Sequence, residues 1–234
     1  MRTNGVDLRR EHEASLARPR YDYSPAARLF FASMNLVTGR KTTLPKAKLL
    51  ETLACVPYRE WEKLAYGRLT RRYRDHASVR SNREVVEWGR DAQDNEYHHL
   101  LVIEERMRQE GLSDPWYLKP PLPRLMVLTY VVLARLLATA SMRRAFLFNA
   151  EFEDHAEHEY AHFVADHPEW EAQPVDSTTV AGYTDARNWA DVFRRIGLDE
   201  RDHMNRSFVS AGLLEKVVRY ESMPPVESTE NRHP

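Results

Sequence analysis

Asn95-Glu96-Tyr97-His98-His99-Leu100 and Asp199-Glu200-Arg201-Asp202-His203 each carry a glutamate and a histidine three residues apart. Residues i and i+3 of an α-helix share one face, a turn apart, so each stretch offers a carboxylate and an imidazole to the same point. That donor pair suits iron, manganese or zinc. Glu159 and His162 repeat the spacing. About one such pair is expected by chance in a chain of this content, so their order along the chain carries more weight than any single pair. Bundles that hold two metals use a Glu-x-x-His from each of two helices and a lone Glu from each of two others, all directed inward.

Outward from these motifs the chain reads as helix after helix. Apolar residues recur at helical spacing from Ala26 to Val37, after Pro25 in a first turn. A second helix is expected from Pro45 to about Arg74, kinked at Pro57, and a third from Ser81 to Gly111. Leu125–Met142, Ala145–Asp166 and Asp185–Glu221 follow, separated by proline and glycine breaks. No strand pattern of comparable strength interrupts them. The expected fold class is all-α, a ferritin-like four-helix bundle with additional helices and a di-metal site in its core. The expected domain is 25–222, between flexible tails at 1–24 and 223–234.

Composition narrows the function. The 234 residues are 42% hydrophobic, enough for a folded core. With only 8 glycines, no GxGxxG and no GK[ST], the chain lacks a phosphate-cradling loop. Lys+Arg 34 against Asp+Glu 35 leaves a net charge of -1, so no basic field marks a nucleic-acid partner. The single cysteine, Cys55, excludes an internal disulfide and a cysteine zinc cluster. Residues 1–24 mix Arg9, Arg10 and Arg18 with Asp7, Glu11 and Glu13. They carry no secretory signal, and organelle targeting is not evident.

With 96/99 and 200/203 as the paired ligands, the lone glutamates must come from the second and fifth helices. On the second, Glu51, Glu60 and Glu62 are candidates. Glu51 is favoured by its apolar neighbours Leu50, Leu53, Ala54 and Val56, whereas Glu60 and Glu62 lie beside Arg59 and Lys63 and are expected to be exposed. On the fifth, Glu153 precedes Tyr160 by seven residues and shares its face. Glu159/His162 is rotated about 240° from Glu153 and is assigned either to a solvated face or to one that supports the ligands from behind. Tyr160 reads either as a core tyrosine or as a residue beside the metals. A metal-free bundle would bury these carboxylates at heavy cost, and a lone zinc would leave half the set unexplained.

The stretch Leu125–Met142 is almost wholly apolar and about 27 Å long. Arg135 within it and Arg143-Arg144 after it argue against a spanning helix. They leave a buried helix or one lying along a membrane surface.

These residues resemble the alternative oxidases, a family of membrane-associated di-iron quinol oxidases. Leu50-Glu51-Thr52, with Val56-Pro57 after it, is similar to the family's LET motif and the VP that follows. Asn95-Glu96-Tyr97-His98-His99-Leu100 resembles NERMHL with Arg-Met replaced by Tyr-His. Phe152-Glu153-Asp154-His155-Ala156 resembles LEEEA, and Asp199-Glu200-Arg201-Asp202-His203 resembles the DEAHH part of RADEAHH. The resemblance covers about residues 25–210. It implies two iron ions, with manganese an alternative, held by Glu51, Glu96, His99, Glu153, Glu200 and His203. It places Asn95, Tyr160 and Asp199 close to the metals, and Lys46 where the family has a quinol-binding arginine. His155 and Glu159 depart from the family pattern near its quinol pocket.

The implied function is a non-electrogenic quinol:oxygen oxidoreductase, reducing O2 to water with electrons from quinol. Its implied location is monotopic on a membrane surface, the cytoplasmic membrane in a prokaryote, as a homodimer. The alternative is a soluble di-iron oxygenase or hydroxylase acting on a small molecule, toward which the negative mean hydropathy leans. An iron-storing bundle is the non-enzymatic reading.

Overall fold

The structure is a computed structural model that describes residues 5–223. Within them lie eight α-helices: α1 (Leu8–Ala17), α2 (Pro25–Thr38), α3 (Leu44–Arg71), α4 (His76–Gln109), α5 (Leu122–Ala140), α6 (Met142–Ala165), α7 (Thr178–Tyr183) and α8 (Trp189–Ser210). The described residues contain no strand, only an isolated bridge between Pro174 and Asn188. The all-α expectation is therefore met. The helices fall into two compact units, one formed by Leu44–Ala145 and the other by residues up to Thr43 together with those from Phe146 onward.

The first unit is a long α3–α4 hairpin with α5 packed on α3. The Asp75 side chain caps α4 by accepting from the Ser78 backbone N–H at 3.1 Å, which starts this helix five residues earlier than its apolar pattern suggests. Gly111, at φ +66°, follows its end. α3 runs unbroken through Pro57. Tyr58, Trp61 and Trp88 meet between α3 and α4 with ring centroids 5.4–5.7 Å apart. Opposite them Gly89 lets the two backbones approach, since a Cβ there would lie 3.0 Å from the Tyr58 carbonyl oxygen. Helix propensity alone would favour Gly89→Ala by about 1 kcal/mol. The collision with backbone should outweigh it, with overpacking typically costing about 1–3 kcal/mol. Net destabilisation in a denaturant melt is expected, and a stabilised variant would contradict so close an approach.

In the second unit α6 and α1 both pack against α8. Ala150, Met204 and Phe208 form a buried cluster there, with Tyr21 and Leu147 against it. The N-terminal segment corrects the sequence reading. Residues expected as a flexible tail form α1, capped by the Asp7 side chain, which accepts from the Arg9 and Arg10 backbone N–H groups. The helix docks by charge rather than by a continuous apolar stripe, with Glu11 and Ser15 buried beneath it. Arg201 of α8 donates from Nη1 to Glu11 Oε2 at 2.6 Å and from Nε to Glu157 Oε1 at 2.9 Å. Arg18 joins Asp154 and Glu157 of α6 at 2.6 and 2.7 Å.

The sixth expected helix is also shorter than the pattern suggested. Asn188 caps it by accepting from the Asp191 N–H, and Gly212 at φ +74° stands two residues past its end. The expected C-terminal tail, 223–234, lies outside the described residues except for Met223.

Candidate metal centre

Each unit carries one half of the expected ligand set. In the α3–α4 unit, Glu51 of α3 and Glu96 and His99 of α4 are buried. They bring one ligand atom each to within 4.8 Å of one another. His99 Nδ1 stands 3.3 Å from Glu51 Oε2 and 3.5 Å from Glu96 Oε2. The local cause is the Glu-x-x-His spacing on one helix, closed by an apolar-flanked glutamate on its hairpin partner. Lone glutamates elsewhere on α3 have other partners. Glu62 accepts from Arg90 and Gln93 of α4. Glu60 accepts from Lys63 at 2.9 Å, and it is 1% exposed rather than solvated as its charged neighbours suggested.

In the other unit, Glu153 of α6 and Glu200 and His203 of α8 form a matching buried triad whose ligand atoms again lie within 4.8 Å. His203 Nδ1 is 3.8 Å from Glu200 Oε2. Asn149, one turn before Glu153, donates to Glu153 Oε1 at 3.0 Å and to Ser207 Oγ at 3.1 Å, which fixes the carboxylate. Asn149 escaped the sequence reading, although its i−4 spacing from Glu153 puts it on the same face. Glu159 and His162 are not part of the Glu153 triad of their own unit. His162 is exposed, and Glu159 is held by Arg20 at 2.7 Å and by Thr42.

Each triad is two carboxylates and one imidazole, buried and mutually close. Like charges so placed repel one another unless a cation joins them. Hard carboxylate oxygens with one imidazole fit iron or manganese. A buried Glu/His cluster able to hold a metal ion is thus built into the fold.

The remaining expected site residues fall as follows. Tyr160 is buried and stacks on Phe193 with centroids 6.3 Å apart. Asp199 is buried, accepting from the Tyr183 hydroxyl at 2.5 Å and paired with Arg195. Asn95 is half-buried. Lys46 is buried, at 2% exposure. His155 stacks on Phe31 at 3.9 Å and meets Arg20 at 2.6 Å. Beside His203, desolvation and the neighbouring Asp199 push Asp202 up to about 6, against the pull of Arg195. Desolvation also raises the Cys55 thiol, with Glu96 and Glu51 adding to it against the pull of Arg59, so this half-buried cysteine stays protonated.

Beyond the two triads, α5 is the one helix among the described residues long and apolar enough to cross a bilayer. It is largely uncovered, with Leu125, Leu128 and Leu136 each more than half exposed. In the other unit α2 exposes Leu29 and Leu36. No protein-family model and no curated protein matches this chain.

Proposed function

We propose that the two triads are the halves of one dinuclear iron centre, set in a ferritin-like bundle of α3, α4, α6 and α8, and that the protein is a quinol:oxygen oxidoreductase. The observation that carries this reading is the repetition of one donor set, two glutamates and one histidine, buried in each unit. Glu51, Glu96 and His99 would hold one side of the pair, and Glu153, Glu200 and His203 the other. Iron bound there supplies the redox chemistry by which two quinols, giving four electrons and four protons, reduce one O2 to two waters.

The chain's own groups do the rest. Asn149 holds the Glu153 carboxylate in one orientation. Lys46 lies five residues before Glu51, about one and a half turns toward the start of α3. Its ammonium would donate to a quinol oxygen as a point charge, less rigidly than an arginine fork. Tyr160, two turns after Glu153, would pass a proton and an electron from its phenol. The exposed leucines of α5, with Arg124 before them and Arg143 and Arg144 after, support attachment to one leaflet without crossing it.

The test is O2 uptake by iron-loaded protein on addition of a quinol, together with sedimentation on phospholipid vesicles. Lys46→Ala should mainly raise KM for quinol, and Tyr160→Phe should mainly lower kcat at unchanged iron content. A second reading, a soluble oxygenase of the same centre, is favoured by the environment of His155 and Glu159, which are tied up by Phe31, Arg20 and Thr42. Uptake of O2 with another small substrate but with no quinol, by a protein that stays off vesicles, would select it.

A further inference from the structure

From Tyr160 a file of aromatic rings leads toward the surface of its unit. Tyr160 of α6 stacks on Phe193 of α8, centroids 6.3 Å apart and planes 26° apart. Phe193 stacks on Trp170 at 4.6 Å and 21°, and Trp170 on His167 at 4.3 Å and 14°. The first three rings are buried and His167 is half-exposed. Trp170 sits in a short 3-10 turn, Pro168–Ala172, placed directly after α6. Aromatic pairs in cores commonly meet edge to face, as Phe163 does with Trp170 and with Phe193. Three successive near-parallel contacts link an oxidisable phenol, through one phenyl ring, to an oxidisable indole and on to a half-exposed imidazole.

We propose that Tyr160, Phe193, Trp170 and His167 form a one-electron path between the interior and the surface, along which Trp170 re-reduces an oxidised Tyr160. This inference rests on the proposed redox function, in which Tyr160 gives up an electron and its phenolic proton. In the return step Trp170 is oxidised, sending one electron across the Phe193 ring, and Tyr160 is reduced. The phenolic proton comes back through a water-sized cavity that adjoins Tyr160 and is lined by Glu11, His12, Ser15, Glu157 and Arg201. Gly197 also lines that space, and a Cβ there would stand in ordinary contact with Tyr160 Cβ at 3.4 Å.

The Trp170 radical cation keeps its Nε1 proton and recovers one electron across the stacked His167 ring. The electron comes from a surface donor of the thiol or ascorbate class, whose S–H or O–H bond breaks, its proton passing to water, to leave the donor radical. His167 is the contact for that donor. Its Nδ1 lies 2.7 Å from the Phe163 carbonyl oxygen, which only accepts, so Nδ1 donates there and Nε2 is the nitrogen that faces the donor. The path would spare the site when an oxidising turnover starts without enough reductant.

The path is tested without metal or O2, so its failure is distinct from failure of the oxidase reading. A ruthenium photo-oxidant is coordinated to His167 Nε2 of the full-length metal-free chain, and singly labelled protein is isolated by peptide mapping. A flash then withdraws one electron, and the tyrosyl radical is followed by optical absorption and electron paramagnetic resonance. Tyr160→Phe should abolish the tyrosyl signal. Trp170→Phe, which keeps the packing, should lower its yield at least tenfold. Trp189→Phe should leave it unchanged, although Trp189 also lies 6.1 Å from Phe193. Equal yields in wild type and Trp170→Phe, or loss in Trp189→Phe instead, would overturn the proposal.

Discussion

Glu96→Ala and Glu200→Ala are each expected to purify folded and without a full complement of metal. Each removes a buried carboxylate from one triad, Glu96 from Glu51 and His99, and Glu200 from Glu153 and His203. Replacing residues that merely orient ligands typically costs about 10–100-fold in metal affinity, so loss of a ligand itself should exceed about 100-fold. The fold should survive, because the metal-free triads hold carboxylates whose charges oppose one another at close range. Removing one relieves that repulsion. Metal analysis of the purified variants, beside thermal melts with and without added iron, checks the expectation. Wild type should melt higher with iron, since a ligand present at a thousand times its Kd adds about 4 kcal/mol, and both variants should lose that increment. Glu159→Ala and His162→Ala, which stand outside the triads, should keep it. Full metal content in both Glu96→Ala and Glu200→Ala would remove the assignment.

The triads were legible in the sequence because their chemistry is local. A Glu-x-x-His pair needs only helical periodicity to converge, and Glu51 needed only its apolar neighbours to stand out from Glu62. Glu60 shows where that logic fails. Arg59 and Lys63 beside it suggested a solvated face, yet the carboxylate is buried with Lys63 reaching back along the helix to meet it. A lysine stem can cover apolar surface while its ammonium pairs with a buried acid, so charged neighbours in sequence do not establish exposure. The helix boundaries slipped for a related reason. The caps at Asp75 and Asn188 are single side-chain bonds, invisible to an apolar pattern. The larger miss was α1. Its face against α8 is carried by Glu11 and Ser15, whose partners Glu157 and Arg201 lie more than 140 residues away. A polar segment of mixed charge reads as a tail unless its counter-charges are known, and those are set by tertiary structure alone.

Arg201→Met should release that helix. The Arg201 guanidinium is 1% exposed as a residue and donates to Glu11 Oε2, the Glu11 carbonyl, Ser15 Oγ and Glu157 Oε1. Methionine keeps much of the volume but leaves two buried carboxylates short of a cation, Glu157 with only Arg18 at 2.7 Å and Glu11 with only the half-exposed Arg10 at 3.1 Å. Breaking a buried ion pair by removing one partner costs about 3–5 kcal/mol, a large share of a typical domain's stability. Because α1 is a 10-residue helix held chiefly by these bonds, the cost should first appear as local opening. Amide hydrogen exchange across residues 8–17 should therefore accelerate by more than a hundredfold, while α8 amides change much less. Adding Glu11→Gln to Arg201→Met should recover part of the loss by removing one of the stranded charges, a coupling that a double-mutant cycle reads directly. The pair Arg9–Glu171 provides the contrast. Its side chains are 66% and 34% exposed, and Arg9→Ala should cost no more than about 1 kcal/mol. Unchanged exchange of α1 in Arg201→Met would mean that the helix is held by apolar contacts at Leu8 and its neighbours, not by the charge network beneath it.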